Sequence, residues 1–147
     1  MELILWRHAD AEDGYPDAER QLTARGRAQA KRIAEWLDKR LPKDAVILAS
    51  PAARAQQTVQ ALRRKFTTCE EIAPGAKPAD VLKSAHWPRA ARATLIVGHQ
   101  PTLGQTASLL LTGNEGDLGV KKGAVWWISG HESGACSLLA MMSPGML

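Results

Sequence analysis

The segment Ala45-Val46-Ile47-Leu48-Ala49-Ser50-Pro51 decides the predicted fold of this chain of 147 residues. Its five apolar residues predict a strand buried on both faces, and Ser50 followed by Pro51 predicts a helix with Ser50 as its N-cap. Similar apolar runs occur at Leu3–Trp6 and Thr94–Gly98, with helical patterns between them. This alternation predicts an α/β fold, a three-layer sandwich whose mostly parallel central sheet is flanked by helices.

Helical and strand patterns also fill most of the remaining chain. Thr23 is the predicted N-cap of a helix that ends at Pro42. The apolar residues of that helix recur at helical spacing and predict its buried face: Ala30, Ile33, Ala34, Leu37 and Leu41. The other predicted elements are a weak strand from Cys69 to Ala73, a short helix from Pro78 to His86, a helix from Pro101 to Gly113, and two final strands at Gly123–Ser129 and Ala135–Met142.

Composition excludes several classes of protein. Hydrophobic residues make up 45% of the chain, charged residues 23%, and the net charge is +4, which together with the length predicts one globular domain over residues 1–147. We expect a cytoplasmic protein without a membrane partner, because no apolar run could span a bilayer and no signal-peptide pattern is present. Cys69 and Cys136 are expected to be reduced thiols. The small positive charge does not indicate nucleic-acid binding.

Polar residues suited to binding an anion follow three of the predicted strands. Arg7-His8 follows the first strand, the segment from Ser50 to Arg54 follows the second, and Gly98-His99-Gln100-Pro101 follows the strand at 94–98. Ligands of open α/β sheets bind at the carboxyl ends of the strands, so these residues should meet in one crevice. Arg54, in the first turn of its helix, should point back toward the free N–H groups of that helix. Two histidines and two arginines around one crevice suit phosphoryl transfer.

At these residues the chain resembles the histidine phosphatase superfamily, also called phosphoglycerate-mutase-like. The segments from Arg20 to Gly26, from Ser50 to Thr58 and from Gly98 to Pro101 are similar to its SixA-type phosphohistidine phosphatase subgroup, and the resemblance spans residues 3 to about 112. It implies that His8 is the nucleophile and carries a phosphoryl group in a covalent intermediate. It further implies that Arg7, Arg54 and His99 form the phosphate pocket without a metal or other cofactor, and that Arg20 adds a phosphate contact.

Two departures from the family pattern bear on the substrate. Ala9 replaces the usual glycine after Arg-His, which is a small change. Gln100 stands where larger members of the superfamily place an acidic proton donor, and Glu70 and Glu71 match no such donor either. Because expulsion of an alkoxide needs a positioned acid whereas imidazole is protonated near neutral pH, the sequence favours phosphohistidine on a protein as the substrate.

Three alternatives remain open at this point. The chain could hydrolyse a small phosphorylated molecule as another phosphomonoesterase of the superfamily, or bind phosphoproteins without catalysis. It could also be a metal-dependent hydrolase that uses His8, Asp10 and His99 as ligands. Should a proton donor exist after all, Glu12, Glu70 and Glu71 are the candidates.

Overall fold

A computed structural model describes all residues, 1–147, and contains one six-stranded sheet. The strands are β1 (Glu2–Arg7), β2 (Val46–Ala49), β3 (Thr67–Thr68), β4 (Thr94–Gly98), β5 (Val125–Gly130) and β6 (Cys136–Met142). Their order across the sheet is β3-β2-β4-β1-β5-β6. The pairs among the first four strands are parallel, and β5 and β6 are antiparallel additions at one side. The prediction of a mostly parallel sheet is therefore confirmed.

Helices cover both faces of the sheet. The four α-helices are α1 (Ala24–Asp38), α2 (Ala53–Gln60), α3 (Pro78–Ser84) and α4 (Thr102–Thr112), and single 3-10 turns lie at Asp17–Glu19, Glu70–Ile72 and Pro144–Met146. Thr23 caps α1 as predicted, because its side chain accepts a hydrogen bond from the Gly26 N–H at 2.9 Å. None of these helices has the length and apolar character that a membrane span requires.

The alternation of side chains along β1 explains the three layers. Ile4 and Trp6 belong to the core formed with α1 and α2, whereas Leu3 and Leu5 belong to the core formed with α3 and α4. Successive side chains of a strand point to opposite faces, so a strand that is apolar at every position can support both cores. The continuous apolar run in β1 therefore places this strand in the middle of the sandwich.

The structure corrects three of the predicted element boundaries. Ser50 is not the N-cap of α2, because that helix begins at Ala53 and its N-cap is Ala52. The predicted strand from Cys69 to Ala73 is wrong, since the strand is Thr67–Thr68 and a 3-10 turn follows at Glu70–Ile72. Helix α1 ends at Asp38, so Leu41 is buried beyond the helix and Pro42 does not terminate it directly.

Candidate active site

A cavity of about 310 Å³ lies at the carboxyl ends of β1 and β4. It brings together all five residues that the sequence suggested for the site, and its lining consists of Arg7, His8, Ala11, Asp13, Arg20, Arg54, Pro74, His99, Gln100 and Lys122. Four of these side chains are cationic and one is a carboxylate, so the cavity carries a positive field that attracts anions. A larger hollow of about 640 Å³ lies around the amino-terminal end of β2, away from this cluster.

The backbone of Arg7 and His8 is held from both sides by neighbouring segments. The Arg7 N–H donates to the Ala124 carbonyl and the His8 N–H donates to the Gly98 carbonyl, each at 3.0 Å. The Gly123 N–H donates to the His8 carbonyl, also at 3.0 Å. Because each of these bonds joins segments far apart in the chain, the position of His8 is fixed by the sheet as a whole.

The His8 ring presents one nitrogen without a proton to the cavity. Its Nδ1 lies 2.7 Å from the Ala9 carbonyl oxygen, which can only accept a hydrogen bond, so Nδ1 is the protonated nitrogen and Nε2 keeps its lone pair. The pKa of His8 is lowered to about 4, mainly by burial, and the nearby Arg54 and Arg7 contribute in the same direction. The ring is therefore a neutral imidazole near pH 7, as a nucleophile must be.

His99 faces His8, with the two ring centroids 5.2 Å apart. Its Nε2 lies 2.7 Å from the Ser50 hydroxyl, so the residue predicted as a helix cap instead orients this histidine. Burial lowers the pKa of His99 to about 3, and the neighbouring His8 and Arg54 act in the same direction. Both histidines are therefore uncharged beside the arginines.

Arg54 occupies the second position of α2 and its side chain is only 5% exposed. The guanidinium donates to the Asp17 carbonyl oxygen at 2.8 Å through one terminal nitrogen and to the Asp17 carboxylate at 3.0 Å through the other. Thr58, one turn later, ties this helix to the segment that follows β1. Its hydroxyl donates to the Arg54 carbonyl at 2.7 Å and accepts from the Ala9 N–H at 3.1 Å.

Three buried nitrogens of the site have no hydrogen-bond partner within the protein: Arg7 Nε, Arg54 Nε and His99 Nδ1. Unpartnered buried polar atoms are rare in native proteins, and here the three nitrogens belong to side chains that line one cavity. Oxyanions such as phosphate carry several acceptor oxygens and fit guanidinium groups well. The arrangement therefore suits the binding of a tetrahedral oxyanion.

Arg20 lies at the same cavity, as the resemblance implied. It donates to the Asp17 carboxylate and to the Glu12 carbonyl oxygen, both at 3.0 Å, and its side chain is 23% exposed. Sequence reasoning missed Asp17, which pairs with Arg20 and Arg54, and it missed Lys122 and Asp13 in the cavity lining. The spacing of three between Asp17 and Arg20 was the available signal for that pair.

The structure places none of the three candidate proton donors in the cavity. Glu12, Glu70 and Glu71 are absent from its lining, and the lining carboxylate is that of the exposed Asp13. Gln100 lines the cavity, but its amide is engaged by backbone, accepting from the Gly104 N–H at 2.6 Å and donating to the Leu118 carbonyl at 2.8 Å. No buried carboxylic acid therefore faces the histidines.

The structure does not assemble the metal ligands of the alternative reaction. The Asp10 carboxylate is bound to Lys122 at 2.9 Å and to the Thr23 hydroxyl at 2.8 Å, outside the cavity lining. No group of three or more His, Cys, Asp or Glu side chains has an arrangement that could hold a metal ion.

Comparison with known proteins identifies the family. Residues 3–77 match the model of the histidine phosphatase superfamily, branch 1. An uncharacterised protein of Picosynechococcus sp. is 34% identical over 151 residues, a match that covers 95% of this chain and 90% of that protein. The chain therefore belongs to branch 1 of the histidine phosphatase superfamily.

Within the superfamily the structure is of the SixA type. The structure of the protein histidine phosphatase SixA complexed with tungstate superimposes with a TM-score of 0.82 and 25% identity, covering 99% of each chain. A SixA protein of Nakamurella multipartitia gives a TM-score of 0.83 at 25% identity, covering 97% of this chain and 95% of that one.

Proposed function

We propose that this protein is a metal-independent protein phosphohistidine phosphatase in which His8 is the nucleophile. Arg7, Arg54 and His99 hold the phosphoryl group during its transfer, and Arg20 adds a contact from the rim of the cavity. The observation that carries the proposal is the buried His8 ring with an unprotonated Nε2, which lines one cavity with Arg7, Arg54 and His99. Each of these three side chains has a buried nitrogen without a hydrogen-bond partner in the protein.

In the first step the Nε2 lone pair of His8 attacks phosphorus. The N–P bond to His8 forms as the bond from phosphorus to the substrate imidazole breaks. The departing nitrogen keeps the bonding electron pair, so a substrate ring already protonated on its other nitrogen leaves as neutral imidazole. The guanidiniums of Arg7 and Arg54 stabilise the charge on the equatorial oxygens, which is the main contribution of proteins to phosphoryl transfer. Two fixed cations can supply here the positive charge that a metal ion supplies in other phosphatases.

In the second step water attacks the phosphorylated His8. The P–O bond forms, the N–P bond breaks, and inorganic phosphate leaves while His8 regains its lone pair. His99 lies beside His8 and is a neutral imidazole, so its free ring nitrogen can accept a proton from the attacking water.

The absence of a buried acid in the cavity favours a phosphohistidine substrate. A departing imidazole is protonated near neutral pH, whereas an alkoxide needs a positioned acid, and the one carboxyl group of this lining belongs to the exposed Asp13. The SixA protein that this chain resembles is described as a protein histidine phosphatase and binds tungstate, a tetrahedral oxyanion like phosphate. Both facts support the same substrate class.

The test combines trapping with a comparison of substrates. Protein incubated with a radiolabelled phosphohistidine-bearing protein and quenched without acid should carry one acid-labile, base-stable phosphoryl group on His8. His8→Ala should lose both the label and turnover, whereas His131→Ala, which removes an exposed histidine, should retain both. A label on Ser50 or Asp10 would refute the assignment of the nucleophile.

A small-molecule phosphomonoesterase is the second candidate, because Asp13 does place one carboxylate at the cavity. The same assay separates the two functions, since a small-molecule phosphomonoesterase should hydrolyse sugar and alkyl phosphates as fast as phosphohistidine.

Turnover should withstand dialysis against EDTA, and activity restored by one divalent ion would favour the metal-dependent reaction. Binding of the phosphoprotein without any turnover would identify a recognition module.

A further inference from the structure

Asp17 is the one residue that contacts two arginines of the cavity simultaneously. Its Oδ2 accepts from a terminal nitrogen of Arg54 and its Oδ1 accepts from Nε of Arg20, both at 3.0 Å. Its backbone carbonyl accepts from the other terminal nitrogen of Arg54 at 2.8 Å. The residue lies in the 3-10 turn Asp17–Glu19, in the loop between β1 and α1, and does not itself line the cavity.

We propose that Asp17 is a positioning residue that fixes the orientation of Arg54 and couples it to Arg20. This inference rests on the proposed function, because it concerns how the phosphoryl-binding arginines are held. A guanidinium carries five N–H groups. Asp17 takes two of them, so that the remaining N–H groups, including the unpartnered Nε, stay available for phosphoryl oxygens.

Burial explains why Arg54 needs such a partner. Its side chain is 5% exposed, so water cannot easily replace a lost hydrogen bond, whereas the Asp17 side chain is 57% exposed. Removing the carboxylate leaves a buried cation with the backbone contact alone and frees the guanidinium to rotate. The bonds to Arg54 and Arg20 also keep the pKa of Asp17 below its usual value, so the carboxylate is ionised near neutral pH.

A positioning role and a purely electrostatic role of Asp17 predict opposite changes in anion binding when the carboxylate is removed. Asp17 is an anion beside a phosphate site, so its removal should strengthen anion binding if charge alone mattered. If Asp17 instead positions Arg54, its removal should weaken binding and slow transfer, since a misplaced catalytic group can cost on the order of 10²-fold. The sign of the change therefore distinguishes the two roles.

The experiment compares three substitutions that each remove one carboxylate charge. Asp17→Asn should lower kcat/KM roughly 10- to 100-fold, mostly through kcat, and should raise the inhibition constant of vanadate by a similar factor. Glu19→Gln removes the same charge from the same 3-10 turn. Because the Glu19 side chain forms no ion pair with an arginine, this variant should stay within about twofold of the wild type. Asp13→Asn removes a charge from the cavity lining itself and should bind vanadate no more weakly than the wild type.

Coupling to Arg20 gives a second readout that a purely structural role would not produce. Arg20→Ala should weaken vanadate binding in the wild type and have a smaller effect in the Asp17→Asn background, because the two residues act together. Asp17→Glu, which keeps the carboxylate, should recover part of the activity. Thermal melts should show every variant folded at the assay temperature, so that lost activity or vanadate binding does not reflect a lost fold.

The possible results distinguish failure of the inference about Asp17 from failure of the proposed function. An active wild type whose Asp17→Asn variant binds vanadate as tightly as Glu19→Gln, or more tightly, overturns the inference and leaves the proposed function intact. A wild type that neither binds vanadate nor turns over any phosphorylated substrate overturns the proposed function and this inference with it.

Discussion

The pH at which His8 gains a proton is the most direct test of the site, and we expect it near 4. Burial is the main cause of this low pKa, and the arginines around the ring act in the same direction. With a pKa of about 4, about 90% of His8 is neutral at pH 5, whereas a histidine of ordinary pKa 6.5 is only about 3% neutral there. The rate of phosphoryl transfer to His8 should therefore fall only about 1.1-fold between pH 7 and pH 5, whereas the rate for an imidazole of ordinary pKa would fall about 25-fold.

Nuclear magnetic resonance can measure this pKa in the free protein. The chain has four histidines, and replacing the exposed His86 and His131 by asparagine leaves the ring signals of His8 and His99 alone. These two signals should titrate with midpoints near 4 and near 3, respectively. A midpoint near 6.5 for His8, or a steep loss of single-turnover rate by pH 5, would refute the argument from burial.

The same values predict how folding stability depends on pH. Both folded-state pKa values lie below the unfolded value, so the unfolded chain binds protons more readily and stability falls as the pH drops from about 6.5 through about 4 for His8 and about 3 for His99. At pH 5 each histidine should lower the free energy of unfolding by about 2 kcal/mol, because pH 5 lies 1.5 units below the ordinary pKa and each unit contributes about 1.4 kcal/mol. Urea unfolding at pH 7 and pH 5 measures the loss, and His99→Asn should reduce it by about half.

Three further predictions concern single groups of the site and the chemistry of the substrate. Arg54→Ala should lower kcat/KM by about 10²–10³-fold. Arg54→Lys should recover only part of this loss, because an ammonium cannot reproduce the guanidinium fork. Activity of Arg54→Ala equal to that of Arg27→Ala, a control at an exposed arginine, would contradict the prediction. In a series of substrates, kcat/KM should fall steeply with leaving-group pKa, and alkyl phosphates should lag by about 10²–10⁴-fold. A flat series would reveal a proton donor, with Asp13 the first residue to substitute. Thr58→Val should destabilise the fold by about 1–3 kcal/mol in urea unfolding, because the Ala9 N–H and the Arg54 carbonyl both lose their partner, whereas Thr58→Ser should recover most of this loss.

The sequence predicted the centre of the fold well because that part of the chain has strong local signals. The apolar runs that became β1 and β4 are buried between helices on both faces of the sheet, as a continuous apolar run predicts. The run that became β2 is only partly buried, since Ile47 and Ala49 are buried whereas Val46 is exposed. The polar residues after these strands then had to meet at one edge of the sheet. This reasoning located the cavity and Arg7, His8, Arg54 and His99 within it.

Features that depend on distant contacts were not predictable in this way. Ser50 has the local features of an N-cap, but its hydroxyl contacts His99, which lies 49 residues away. Asp17 is an ordinary loop residue in the sequence, and its partner Arg54 lies 37 residues away. Strand β3 has two exposed threonines and pairs with β2 alone, so nothing in its composition indicates a strand.

The hydrogen bond from His8 Nδ1 to the Ala9 carbonyl serves both halves of the proposed reaction. Before transfer it places the proton on Nδ1 and so leaves Nε2 free to attack. After transfer Nε2 is bonded to phosphorus while Nδ1 still holds its proton, so the phosphorylated ring is a cation stabilised by the carbonyl oxygen. A cationic imidazole is a better leaving group than a neutral one, because it departs as a neutral molecule when water attacks phosphorus. The hydrogen bond that orients the free ring for attack therefore also favours departure of the ring from phosphorus in the second step.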